Sequence, residues 1–264
     1  MHIYPFRLEY HDTYRAFGFP FIDNGNAVSG PSCFLSPIEA GDMKFDPYTQ
    51  NPHREQFFSA LAKRKGIEHL PVYAVQQVHS RNVVIVDGSS HLAGVEADGL
   101  VTDKVGLWLS VTVADCLSIY LRDRSGTYRA MLHSGWKGTG IVRRALAIFI
   151  EQWQVAPKDI LAVLGPCICS ECYKVDEERA RQFEAEFGGS EGPFPLGSVV
   201  KHSVDPNGAF NYSLDLKAAN SRLLAQAGVQ EIAVCSDCTV CNTRLGSFRR
   251  QGPDSYTRMV ALID

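Results

Sequence analysis

Three residues in this chain carry the side chains most able to do chemistry, and each stands where an apolar run ends. His79 closes Gln76-Gln77-Val78-His79-Ser80, Cys116 follows Val113-Ala114-Asp115, and His133 follows Met131-Leu132. Two imidazoles and a thiol suit Zn²⁺, or copper, by ligand softness. The separations are 37 and then 17 residues. A structural zinc finger draws its ligands from close pairs. Long spacings suit a catalytic ion instead, with ligands from separate strands and a position open to water or substrate. The competing reading of each histidine is a hydrogen-bonded structural residue at a strand end. A thiol beside the Asp115 carboxylate and near histidines also suits a cysteine nucleophile.

Two further features offer chemistry. His133-Ser134-Gly135-Trp136-Lys137-Gly138 reads as a glycine-rich turn ahead of a helix. Its amides, the helix N-terminus and Lys137 would receive an anion; the plainer reading is a tight turn with an exposed lysine. Cys167, Cys169 and Cys172 form one cysteine group, and Cys235, Cys238 and Cys241 another. Together they could bind a second zinc or an iron–sulfur cluster, although buried or surface thiols are the preferred reading. Cys33 is isolated.

The elements that must position these residues alternate. Val72 to Val78, Val83 to Val86, Leu107 to Val113, Tyr128 to Leu132, Ile160 to Leu164 and Glu231 to Cys235 read as strands. Residues 139–153 place Val142, Ala145, Leu146, Phe149 and Trp153 on one helical face. Helices are also expected at 176–187, capped by Asp176, and at 215–227, opened by Asp215 and stopped at Gly228. Residues 20–53 and 188–210 read as loops; the second runs through Gly188-Gly189, Pro193, Pro195 and Asp205-Pro206. Strands mixed with helices, without a linker or repeat, predict a mixed α/β protein with one extended core.

Composition narrows the partners. A net charge of −3 gives no electrostatic reason to expect nucleic acid or an anionic membrane. No apolar stretch is long enough to span a bilayer, and Met1 to Tyr10 lacks the order of a signal peptide, so a cytoplasmic location is expected. Cysteines in a chain of this kind are expected as thiols or metal ligands rather than disulfides.

The motifs QQVHS, EADGLVTD, VADCLSI, LHSGWKG, GPCIC followed by YKV, and SFRR with a later TRM stand in the order and spacing of one family. From about residue 72 to the C-terminus the chain resembles the YfiH-like, laccase-domain family, also called the purine nucleoside phosphorylase or polyphenol oxidase family. That resemblance implies a single domain over residues 1–264, in a four-layer α/β/β/α arrangement with two packed mixed sheets. It implies a metal, zinc with copper as the alternative, on His79, Cys116 and His133.

It also implies phosphorolysis of adenosine, inosine, guanosine or methylthioadenosine, or deamination of adenosine. Purine nucleoside and phosphate are then the partners, and a homodimer is one assembly open to the chain. In that chemistry Asp98 or Asp115 would orient a ligand or carry a proton. Lys137, Arg249 or Arg250 would neutralise phosphate. The alternatives are a cysteine hydrolase or amidase acting on peptidoglycan fragments, a copper polyphenol oxidase, and a metal-stabilised nucleoside-binding module. For the last, His53 or His202 would supply a closing fourth ligand.

Some positions depart from the family pattern. Cys116 is followed by Leu117 where proline is usual, Lys137 stands for arginine, and Lys174 follows Tyr173 where the family has glutamate. The family's closing Gly-Arg is Thr257-Arg258, and Phe19 to Ser29 lacks the arginine usual near the N-terminus. Lysine at 137 keeps the charge but loses the bidentate fork, which weakens any phosphate contact there.

Overall fold

A computed structural model describes residues 1–264 except 14, 30–31, 70, 90–91, 190–196, 203–207 and 209. Two mixed sheets form the centre. The first has seven strands, edge to edge His2–Phe6, Glu231–Cys235, Ile160–Leu164, Leu117–Asp123, Arg129–Ser134, Gly99–Thr102 and Val83–Ile85. The second has six: Glu9–His11, Ala16–Phe19, Cys33–Leu35, Met259–Ile263, Trp108–Val113 and Val72–Tyr73.

Alternation along the strands sorts their side chains into three apolar layers. Leu100, Tyr120, Met131 and Val163 of the first sheet meet Phe17, Leu35, Val111 and Ala261 of the second, filling the space between the sheets. The opposite face of the first sheet, with Leu117, Ile119, Leu121 and Leu132, is covered by helices α2 (Ile141–Ala147), α3 (Glu177–Phe187) and α4 (Leu216–Gln226). The opposite face of the second sheet packs Phe34, Trp108 and Leu262 against Phe57 and Leu61 of α1 (Pro52–Lys65). The order is therefore α/β/β/α, as expected. Among the described residues no helix is long and apolar enough to cross a membrane.

Local chemistry explains most elements. Asp176 and Asp215 accept hydrogen bonds from the amides of Arg179 and Ala218, capping α3 and α4. The helix expected over 139–153 is α2 followed by a π-helical turn, Ile148–Gln152, with Phe149 buried. The run from Val72 pairs only at Val72–Tyr73 and as a bridge at Gln76.

Two expectations need correction. Residues 20–53 are not a plain loop: Cys33–Leu35 is an interior strand, Ile22–Asp23 and Asn26–Ala27 form a hairpin, and α1 begins at Pro52. The cap of α1 is Asn51, and Gly66 ends it in the left-handed conformation. In 188–210, Val200–His202 is a strand beside Tyr212–Leu214. The positions Pro193, Pro195 and Asp205-Pro206 lie outside the described residues.

Candidate active site

Register in the first sheet gathers the site at one end of neighbouring strands. Ser118 pairs with His133, Leu132 with Gly99, and Val83 with Gly99 on the other side. Cys116, His133 and Asp98 thereby meet at the same end, and His79 lies in the turn that leads into Val83–Ile85. One ligand atom from each of His79, Cys116 and His133 lies within 4.8 Å of the other two. His133 is buried, Cys116 half-buried and His79 exposed.

Two carboxylates hold the backbone that carries these residues. Asp98 accepts from the amides of Val78, His79 and Ser80 at 3.2, 3.1 and 2.6 Å, and from the Ser80 hydroxyl at 2.8 Å. That grip holds His79 at φ +58°, an uncommon conformation for a residue with a side chain. Asp98 also lies 2.8 Å from His133 Nδ1, which leaves Nε2 to face the other two ligands. Burial works against its charge, yet the contacts with His133 and Ser80 hold its carboxyl below the usual carboxylate range.

Asp115 sits at φ +81°. Its two oxygens accept from the Thr239 hydroxyl and the Arg249 amide, each at 2.6 Å. A third support comes from Gln77, whose side-chain amide bonds both backbone groups of Thr112 at 2.9 and 2.7 Å.

Burial opposes charge on both Cys116 and His133, but each stabilises the other's ion. The Cys116 thiol is lowered to about 6 by the two histidines, and His133 is raised to about 9 by Cys116 and Asp98. Cys116 is thus disposed to be a thiolate, the form that binds metal or attacks carbon.

The trio opens into a cavity of about 650 Å³, within the range of small-molecule sites. Among the described residues, Lys44, Lys137, Arg179, Arg249 and Arg258 line it against a single carboxylate, Asp115. Its apolar walls include Trp136, Tyr173, Phe248 and Tyr256. Arg179 lies 4.7 Å from the Trp136 ring centre, and Arg258 is held by Asp42 at 3.0 Å.

Not every expected residue reaches this cavity. Asp115 and Lys137 line the cavity and Asp98 bonds His133 behind it; Asp115 accepts one hydrogen bond at each oxygen and so clamps the backbone of its neighbours. Arg250 is turned away. Its guanidinium donates to the carbonyls of Thr239, Val240, Asn242 and Leu245, and it is not among the residues that line the cavity, whereas Arg249 is.

In the turn after His133, where an anion cradle is expected, Gly135, Trp136 and Lys137 line the cavity. The amides of Thr139 and Ile141 bond the carbonyls of Gly135 and Gly138, and Arg81 packs over Gly140. His53 belongs to α1 and His202 packs on Tyr212; neither joins the trio. Lys44 and Arg179 went unnoticed in the sequence because isolated cations carry no spacing signal. The signal for Arg258 was the closing Thr-Arg pair.

The cysteine groups meet in an arrangement the preferred reading did not anticipate. The sulfurs of Cys169, Cys172, Cys238 and Cys241 all lie within 4.8 Å of one another. Cys33, Cys167 and Cys235 are buried and stand apart.

Comparison with known proteins gives a consistent answer. The sequence profile described as multi-copper polyphenol oxidoreductase laccase matches residues 49–264. The purine nucleoside phosphorylase YlmD of Geobacillus stearothermophilus is 32% identical over 253 residues, 91% of this chain and 86% of that protein. The adenosine deaminase RL5 of an unknown prokaryotic organism is 31% identical over 208 residues, 74% of this chain and 76% of the relative. The crystal structure of YlmD superposes with a TM-score of 0.76 at 27% identity, covering 89% of this chain and 92% of that one.

Proposed function

Since this chain belongs to the multi-copper polyphenol oxidoreductase laccase family, we propose that it is a zinc-dependent enzyme of purine nucleosides whose main reaction is phosphorolysis. The observation that carries this reading is one cavity in which a His-Cys-His trio, five cations and several aromatic faces meet. The donor set suits a single borderline-soft ion, and among the described residues it is the one such group that includes histidine. Zinc on His79, Cys116 and His133 would supply Lewis acidity at a substrate oxygen.

The chain's own residues account for the rest. Asp98 fixes the tautomer and direction of His133. Asp115 anchors the Arg249 backbone, so that this guanidinium stays at the cavity wall. Lys137, Arg179 and Arg249 neutralise phosphate as its oxygen bonds C1′ of the ribose and the C1′–N9 bond breaks. The departing purine takes up one proton, balanced by the one that hydrogen phosphate loses on becoming the sugar phosphate. Trp136, Phe248 and Tyr256 offer aromatic faces to the base. The cation excess is what favours phosphorolysis over deamination, which uses water and needs no anion site.

The experiment is turnover of adenosine, inosine and methylthioadenosine by zinc-loaded protein, with and without phosphate. The expected products are free base and ribose 1-phosphate (5-methylthioribose 1-phosphate from methylthioadenosine), formed only when phosphate is present. Inosine from adenosine without phosphate would replace this reaction with deamination. Undiminished activity in chelated protein, abolished by thiol alkylation, would overturn the metal reading. The Cys116–His133 charge pair would then belong to a cysteine hydrolase.

A further inference from the structure

Outside the cavity lies a second constellation built for a ligand. Cys169 and Cys172 are separated by Ser170-Glu171, and Cys238 and Cys241 by Thr239-Val240. Each pair lies in a tight turn: the Cys172 and Tyr173 amides bond the Cys169 carbonyl, and the Asn242 amide bonds that of Cys238. A bridge between Cys167 and Cys238 sets the turns face to face, bringing Cys169 to Cys238 across 69 residues of sequence. The Cys169 amide donates to the Cys238 sulfur at 3.3 Å.

The distances limit the ligand to one tetrahedral ion. Zn–S bonds of about 2.3 Å put tetrahedral sulfurs roughly 3.8 Å apart. Cys172 and Cys241 lie 3.6 Å apart, and no pair of the four exceeds 4.8 Å. A disulfide requires about 2.05 Å, and these cysteines are free. A multi-iron cluster would have to fit iron and sulfide between the cysteines, and so needs a wider spread. We propose that Cys169, Cys172, Cys238 and Cys241 hold one Zn²⁺ as a closed tetrathiolate site, separate from the His79-Cys116-His133 trio.

Its role is to fasten the cavity wall. Thr239, between Cys238 and Cys241, bonds Asp115, and the Arg249 guanidinium donates to the carbonyls of Cys172 and Lys174 at 3.1 and 3.2 Å. Both partners of Asp115 are therefore tied to the cysteine turns. An ion joining those turns sets Arg249 and Tyr173 in place without touching substrate.

The test begins with wild-type holoprotein. Isotope-coded alkylation before and after chelation should label Cys169, Cys172, Cys238 and Cys241 only afterwards. Free labelling of all four beforehand, or a recovered Cys172–Cys241 disulfide, overturns the proposal. Metal analysis of Cys172→Ser with Cys241→Ser should show a loss of about one zinc per chain. Iron in place of zinc, or an unchanged zinc content in that variant, overturns it as well. Cobalt substitution of His79→Ala keeps the two sites distinguishable. A strong sulfur-to-cobalt charge-transfer band must persist there, because it arises from cysteines the trio does not use. Its absence sinks the four-cysteine site and leaves the purine reading untouched.

Discussion

The molecule gathers sulfur at two places, and the two are built on opposite plans. At the trio, three ligands of mixed type come from separate segments and face a cavity lined by cations. At the cysteine turns, four identical ligands come as two local pairs and face one another. Three ligands beside a cavity leave a position for chemistry, whereas four sulfurs around one point leave none. The difference lies in ligand count and surroundings rather than burial, since Cys241 is exposed and His133 is buried.

The strongest way to break the comparison is to remove a ligand of the trio. His133→Ala or Cys116→Ala should lower kcat/KM at least about 1,000-fold, roughly 4 kcal/mol, while the zinc of the cysteine turns is retained. Steady-state kinetics with metal analysis checks both halves. The converse variant, Cys172→Ser with Cys241→Ser, should cost about 3 kcal/mol of stability, lowering Tm by roughly 6–12 °C. Its turnover below the melting range should fall less than tenfold. Equal effects on turnover from both variants would erase the distinction between an open and a closed site.

Smaller changes sharpen it. Asp98→Asn keeps the shape but removes the charge beside His133 Nδ1, so metal affinity at the trio should fall about 10–100-fold in competition with a chelator. Gly135→Ala would place a methyl 2.9 Å from Cys116 Sγ and 3.2 Å from His79 Nδ1. Affinity there should fall about tenfold, with the cysteine turns unaffected. Arg249→Ala should raise KM for phosphate several-fold, about 1 kcal/mol, with a smaller fall in Tm, since it gives up two carbonyl contacts at the exposed cavity wall. Arg250→Ala, which loses contacts to four carbonyls and does not line the cavity, should lower Tm more and leave KM for phosphate nearly unchanged.

How much of this was legible followed from where each signal resides. Ile160–Leu164 and Glu231–Cys235 were read to the residue because interior strands are continuous buried apolar runs. The trio was legible chiefly through the series of family motifs that carries it, since its spacing alone is a weak signal; Asp98 stands in one of those motifs, directly before the strand Gly99–Thr102. Cys33–Leu35 was missed: three residues among prolines and glycines show no period, and their burial comes from the strands on either side. The α1 segment was missed although Asn51-Pro52 and Gly66 mark its ends, and Arg54 on its buried face blurs the apolar stripe. The fate of Arg250 depends on four carbonyls gathered by a turn, and the meeting of the two cysteine pairs on a 69-residue closure. Neither is a property of a local window.

The separate origins of His79, Cys116 and His133 bear on the order of events during folding. No two of them are neighbours in the unfolded chain, so the trio has no partial chelate to seed it. Its ligands converge only after Gly99–Thr102, Arg129–Ser134 and Leu117–Asp123 have paired in register. Each cysteine pair, by contrast, can take hold of an ion before any strand has found its partner. Occupancy of the trio during refolding therefore acts as a clock for completed topology, running behind every probe of secondary structure.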